Sequence, residues 1–204
     1  EAYRLTRKGG ATGVDGQTAN DYATDLEANL QGLLDRFKSG TYQAPPVRRV
    51  RIPKGDGRQT RPIGIPTFED KILQRAVAMI LGAIYEQDFL ACSYGFRPGR
   101  GAQQALDEVG RIICREPTSY VLEADIRGYF DAIVREQLME LMERRVRDGS
   151  ILRLIKKWIH VGVIDEGRLL VSETGVGQGQ IISPLLANIY LHYVLDEWFE
   201  QEVK

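Results

Sequence analysis

Cysteine and histidine are both scarce in this chain of 204 residues, with two of each. Cys92 and Cys114 form no CxxC pair, and neither has a histidine at ligand spacing. That argues against a zinc site and a disulfide framework, and it suggests a reducing, cytoplasmic setting. His160 and His192 stand alone and read as packing or surface histidines. No apolar run approaches the roughly eighteen residues that a membrane span needs. The polar start, "EAYRLTRKGG", has no signal-peptide pattern, and its lack of an initiator Met suggests a chain cut from something longer. There is also no internal repeat and no low-complexity linker.

Charge is balanced overall, with a formal net of -1, but it is unevenly placed. Between Val47 and Arg61 lie Arg48, Arg49, Arg51, Lys54, Arg58 and Arg61 against one acid, Asp56, a local charge of +5. A neutral protein with one strongly basic element suggests a local anionic partner rather than a polyanion-coating surface. Two readings of this element stay open. One is a solvated edge whose charges discourage aggregation. The other is a finger that grips triphosphate or nucleic-acid backbone.

Hydrophobic periodicity organises the rest. Tyr22, Leu26, Leu30, Leu33, Leu34 and Phe37 recur at helical spacing and predict one helix from about Asn20 to Ser39, with Thr18 and Asp21 as a capping box and Gly40 as the stop. Val47 to Ile52 and Gln59 to Ile65 predict a β-hairpin around "PKGDG", its prolines fitting an edge. A long helix from Thr67 to about Phe89 carries Ile72, Leu73, Val77, Ile80, Leu81 and Ile84. "SYGFRPGRGAQQAL" reads as a loop leading into a helix through Leu106, Val109 and Ile113. Helices follow from Asp131 to about Arg147 and from Ile151 to Val163, then a short strand pair in "IDEGRLLVSETG". A Gly-rich loop and a last helix close the chain, with Ser183 as N-cap and Pro184 as first residue. The glycines of "GVGQGQ" allow a backbone to approach a ligand closely, but the pattern is neither a phosphate loop nor a dinucleotide fingerprint.

"EADIRGYFDAI" is the unusual stretch. It predicts a strand with Tyr120, Leu122, Ala124 and Ile126 on one face and Val121, Glu123 and Asp125 on the other. Two carboxylates on one strand face call for a counter-charge or a metal. Asp125 at the strand end, beside the Ile126 carbonyl, offers hard oxygen ligands suited to Mg²⁺. The alternative is a solvated face that pairs with arginines. Asp131 reads as a helix N-cap.

The ordered blocks "GATGVDGQT", "RPIGIPTFEDKILQRAV", "SYGFRPGRGAQQAL", "EADIRGYFDAI" and "GQIISPLLANIYLHYVLDEW" together resemble the reverse transcriptases encoded by bacterial group II introns, also called maturases. The resemblance runs over nearly the whole chain. It implies an α+β right-hand polymerase, helix-rich, with a basic hairpin and a short antiparallel palm sheet. Residues 1–118 would be fingers and 119–204 part of the palm. It implies RNA-templated DNA synthesis with Mg²⁺, with intron RNA, an RNA template with DNA primer, and dNTP as partners.

The same resemblance implies residue roles. Asp125, with the Ile126 carbonyl, would be a catalytic metal ligand. Phe130 would gate against the ribose 2′-hydroxyl. Lys54 and Arg61 would hold the triphosphate, and Gln178 would lie near the incoming nucleotide. Arg97 and Pro98 would lie along the template, and Arg48, Arg49, Arg51 and Arg58 would contact RNA. Two departures stand out. Gly177-Gln178-Gly179-Gln180 replaces the family's usual Pro-Gln-Gly-Gly, and the Tyr-Ala-Asp-Asp motif that carries two further metal aspartates does not occur. The expectation is that these residues alone do not polymerise. Alternatives are an RNA-binding splicing cofactor without chemistry, a retron, CRISPR-associated or domesticated reverse transcriptase, and a structural piece that forms a homodimer through exposed apolar surface.

Overall fold

The computed structural model describes residues 1–203 apart from 54, 56 and 58. The sequence expectations for Lys54 and Arg58 therefore lie outside the described residues. Among the described residues the fold is helix-rich α+β with one small mixed sheet. The helices are α1 (Ala2–Leu5), α2 (Ala19–Ala23), α3 (Leu26–Lys38), α4 (Phe68–Tyr85), α5 (Ala102–Arg115), α6 (Tyr129–Ala132), α7 (Arg135–Glu143), α8 (Gly149–Ile159) and α9 (Ser183–Leu191). The strands are β1 (Val47–Pro53), β2 (Thr60–Ile65), β3 (Val163–Asp165) and β4 (Arg168–Leu170). Two π-helical segments, His192–Asp196 and Phe199–Val203, extend α9.

The core forms where α4, α7, α8 and α9 turn their apolar stripes inward. Leu81, Tyr85, Leu138, Met142, Ile155, Trp158, Leu186 and Ile189 are all buried there. Tyr22 and Phe68 meet edge-on at 5.5 Å between ring centroids and join α2 to the start of α4.

The basic hairpin forms as expected, with Arg48 opposite Ile65 and Ile52 opposite Arg61. Pro62 sits on the edge strand β2, where it costs no ladder bond to a further strand. The strand pair at 163–170 also forms, and it adds to the hairpin. Val47 of β1 pairs in parallel with Val163 of β3, giving the order β2-β1-β3-β4. Pattern reading has no access to that pairing, because it joins residues more than a hundred positions apart.

Several expectations need correction. The helix drawn from Asn20 to Ser39 is two helices that break at Thr24 and Asp25. Thr24 Oγ1 bonds back to the Asn20 carbonyl and Asn29 Nδ2 donates to the Tyr22 carbonyl, so side chains compete with the helical ladder. The capping box of Thr18 and Asp21 does form. The helix drawn from Asp131 is also split. Val176 and Gly175 donate their N–H groups to the carbonyls of Phe130 and Ile133, drawing the chain out of helix before α7. Asp131 is inside α6, whose N-cap is Gly128 at φ 63°, so Asp131 is not the cap. Ser183 is the first helical residue rather than the cap, and its hydroxyl donates to the Gly177 carbonyl instead.

The strand expected over 120–126 does not form. The segment has no regular structure, and Tyr120 and Leu122 are each 93% exposed. A strand needs a neighbour for its backbone hydrogen bonds, and no described strand pairs with it. Helix α5 is present but buries no residue, so its Leu106, Val109 and Ile113 stripe faces solvent.

Candidate functional site

The site is built where the Gly-rich loop meets the hairpin. Gly64 of β2 donates its N–H to the Gln178 carbonyl at 2.7 Å, fastening the loop to the sheet edge. The approach requires glycine on both sides. A β-carbon on Gly179, at φ 97°, would sit 2.2 Å from Ile63 Cγ2, and one on Gly64 would sit 2.7 Å from Val47 Cγ2. The glycines read as room for a ligand thus serve a protein contact first. On the other flank, a β-carbon on Gly175 would meet Phe130 O and Asp131 Cα at 2.8 Å. The loop is therefore held between β2 and α6.

This arrangement brings Gln178 to Asp131, with Nε2 donating to Oδ2 at 3.4 Å. Phe130 is adjacent, half-buried, its ring edge-on to Tyr129 at 6.0 Å. Arg49 of β1, Asp131, Thr174 and Gln178 line one cavity of about 100 Å³. A buried arginine that the sequence reading missed supports it from behind. Arg135 donates Nε to the Gly175 carbonyl at 2.9 Å, Nη1 to Ser172 at 2.6 Å and Nη2 to Thr174 at 3.0 Å. Three carbonyls satisfying one guanidinium fix the path of residues 172–175.

The basic hairpin divides into structural and free charges. Arg48 donates Nε and Nη2 to the Thr12 carbonyl at 3.0 and 2.6 Å and so ties down the amino-terminal loop. Arg49 and Arg51 share Asp165 of β3, each at 3.3 Å. Arg61 lies exposed at the start of β2, with no ion-pair partner among the described residues. The positive excess is therefore partly neutralised beside β3 and, among the described residues, unpaired at Arg61.

Arg97 differs most from its expected place. It is 6% exposed and forks onto Glu86 at 3.0 Å, while Nη1 donates to the carbonyls of Leu90 and Ser93 at 2.7 and 2.8 Å. All three of its nitrogens are engaged inside the protein, so it organises its loop rather than facing a phosphate. Pro98 follows it beside an open cleft that Arg75, Met79, Phe96 and Leu185 also line. Asp125 and Glu123 are exposed on the unpaired 117–126 segment. Ile126 lines an apolar cavity with Tyr129, Tyr190 and Leu195. Among the described residues no three His, Cys, Asp or Glu side chains converge as a metal site would require.

Residues 52–203 match the family described as reverse transcriptase (RNA-dependent DNA polymerase). The chain belongs to the reverse transcriptase family. This reverse transcriptase chain is 42% identical over 198 residues to protein YkfC of Escherichia coli (strain K12), covering 94% of the chain and 52% of that protein. It is 38% identical over 188 residues to the group II intron-encoded protein LtrA of Lactococcus lactis subsp. cremoris, covering 92% of the chain and 31% of that protein. The resemblance to group II intron proteins read from the ordered blocks is thereby met. Among solved structures it is similar to a chain of the partial Cas6-RT-Cas1–Cas2 complex, at 25% identity and TM-score 0.52, over 85% of this chain and 29% of that one. The reverse transcriptase chain thus spans about half, or less, of the length of these relatives.

A second missed feature lies beneath the site. Asp70 is 1% exposed, and its carboxylate accepts from Tyr42 Oη at 2.6 Å, Trp158 Nε1 at 2.7 Å and Gln74 Nε2 at 2.9 Å. Burial pushes its pKa up to about 6 against the pull of those three donors. In the sequence Asp70 stands three residues after the N-cap Thr67, as an ordinary first-turn acid. Helix numbering gives no sign that its side chain turns inward.

Proposed function

We propose that this chain is the nucleotide-binding part of a group II intron-type reverse transcriptase, copying RNA into DNA and binding intron RNA as a maturase. The supporting observation is Gln178, held by backbone pairing to β2 and turned toward Asp131 beside Phe130, within a reverse transcriptase family match. In this reading residues 1–118 act as fingers and residues 119–204 as part of the palm. An incoming dNTP lies between the hairpin and α6. Arg61, with Lys54, neutralises its β and γ phosphates. Phe130 packs against the sugar and leaves no room for a 2′-hydroxyl. Gln178 orients the nucleotide by hydrogen bonding, and Arg49 and Arg51 adjoin the nucleic-acid backbone.

Asp125 and Ile126 are exposed residues, and a carboxylate and a backbone carbonyl are hard-oxygen donors of the type that Mg²⁺ prefers, so the donors present fit that ion as part of a larger set. Bound there, Mg²⁺ would supply charge neutralisation for in-line attack of a primer 3′-hydroxyl on the α-phosphate. We assign the protein to the cytoplasm, where RNA template and dNTP meet. No helix among the described residues is long and apolar enough to cross a membrane.

A CRISPR-associated reverse transcriptase is the second reading, favoured by the structural likeness at 25% identity. The 38% identity to LtrA favours the intron type over it. The test is Mg²⁺-dependent primer extension on an RNA template by the full-length protein and its Asp125→Asn variant, with RNA binding measured alongside. Extension by the wild type alone, with RNA binding intact in both, is expected. RNA binding without extension by either would replace the polymerase with an RNA-binding splicing cofactor.

A further inference from the structure

We propose that Gln180 is a positioning residue, whose buried amide sets the 175–180 loop so that Gln178 meets the incoming nucleotide. This rests on the nucleotide role of Gln178 given above. Gln180 is 4% exposed, yet it is polar. Its Oε1 accepts from Gln74 Nε2 at 3.1 Å, and its Nε2 reaches the Trp158 carbonyl at 3.4 Å. Gln74, itself fully buried, also donates to Asp70 at 2.9 Å, and its Oε1 accepts the N–H groups of Ile181 and Ile182 at 2.8 and 3.3 Å. A chain of buried amides therefore runs from the Asp70 carboxylate to the base of the loop. A buried amide is costly unless both its donor and its acceptor are used, and here both are.

The loop above is shaped around this amide. A β-carbon on Gly177 would lie 2.6 Å from Gln180 Nε2, so the side chain fills the space that any other residue at 177 would need. Gln178 lies between the two, its carbonyl held by Gly64 N at 2.7 Å and its side chain directed to Asp131 at 3.4 Å. The loop is thus pinned from outside by β2 and from beneath by Gln180. A side chain serving packing alone would not need an amide here, and that difference can be measured.

The experiment uses the full-length protein with Gln180→Ala, Gln180→Met, Gly177→Ala and the Gly177→Ala/Gln180→Ala double variant. Steady-state primer extension is combined with amide hydrogen exchange at Gly64. For Gln180→Ala we expect the KM for dNTP to rise about tenfold, kcat to stay within about twofold, and the Gly64 amide to exchange faster. Gln180→Met keeps the volume but loses both hydrogen bonds, and it should behave like Gln180→Ala. Gly177→Ala should be harmful alone and add little in the Gln180→Ala background, where there is no amide to strike. Restoration of KM and of Gly64 protection by Gln180→Met would overturn the proposal, as would a change confined to kcat and Tm. If the wild type does not extend primers, the polymerase reading fails, and Gly64 exchange alone then decides whether Gln180 holds the loop.

Discussion

Tyr42 and Asp70 meet inside the core, the phenol donating to carboxylate Oδ1 at 2.6 Å. The contact joins the chain just before β1 to the first turn of α4, and Trp158 of α8 donates to the same oxygen. Tyr42→Phe removes one of three donors without changing shape. A hydrogen bond to a charged group contributes about 1.5–3 kcal/mol, so a loss of that size is expected at pH 8.

The same pair predicts a pH dependence. The Asp70 pKa is raised from 3.8 to about 6, so the folded state holds the proton more tightly than the unfolded chain. Stability on this account is highest below the unfolded value, falls as pH rises through the window between the two, and is level above the folded value. The phenol's donation favours the ionised carboxylate, so Tyr42→Phe should extend the fall to higher pH. Urea unfolding of wild type and variant at pH 4.5, 6 and 8 should show a cost that grows with pH. A pH-independent cost would contradict a carboxylate that titrates in the core.

Arg97 and Arg61 offer a test of which charge serves folding and which serves the proposed ligand. Arg97→Ala leaves Glu86 without its partner and the Leu90 and Ser93 carbonyls without their donor, for an expected loss of about 3 kcal/mol. The salt dependence of RNA binding, measured on the folded fraction, should be unchanged. Arg61→Ala should leave the unfolding midpoint alone and raise the KM for dNTP. A flattened salt slope for Arg97→Ala would return that residue to the RNA surface.

Phe130→Ala should relax sugar selection. Relief of a contact costing about 1.4 kcal/mol would raise the rNTP-to-dNTP ratio of kcat/KM roughly tenfold in the full-length protein. An unchanged ratio would remove Phe130 from that role.

Gly179→Ala tests the close approach of the loop to β2. The new methyl would lie 2.2 Å from Ile63 Cγ2 at a backbone with φ 97°. Overpacking and backbone strain together predict a loss of about 3 kcal/mol and a faster-exchanging Gly64 amide. Gly110→Ala is the control: nothing lies within 4 Å on the exposed face of α5, and a gain of roughly 0.5–1 kcal/mol is expected. Equal effects of the two would mean that the loop yields.

What could be read from the linear chain follows from local physics. Periodicity located α3, α4, α5 and α8, the β-prone runs on either side of "PKGDG" located β1 and β2, and Thr18 with Asp21 announced its capping box, because each signal lies within a few residues. The family was legible too, since its blocks are contiguous and ordered. Tertiary structure decided the rest. Parallel pairing of Val47 with Val163, the capture of Arg48 by Thr12 and of Arg97 by Glu86, and the clamp of Arg135 on residues 172–175 all join positions that no local pattern couples. An alternating pattern at 120–126 did not become a strand, because a strand is made by its neighbour. Asp70 reads as an ordinary first-turn acid and becomes a buried hub because Tyr42, Gln74 and Trp158 converge on it. Local sequence sets which backbone shapes are cheap, but where each charge ends depends on which distant donors and acceptors the packed chain brings within hydrogen-bond reach.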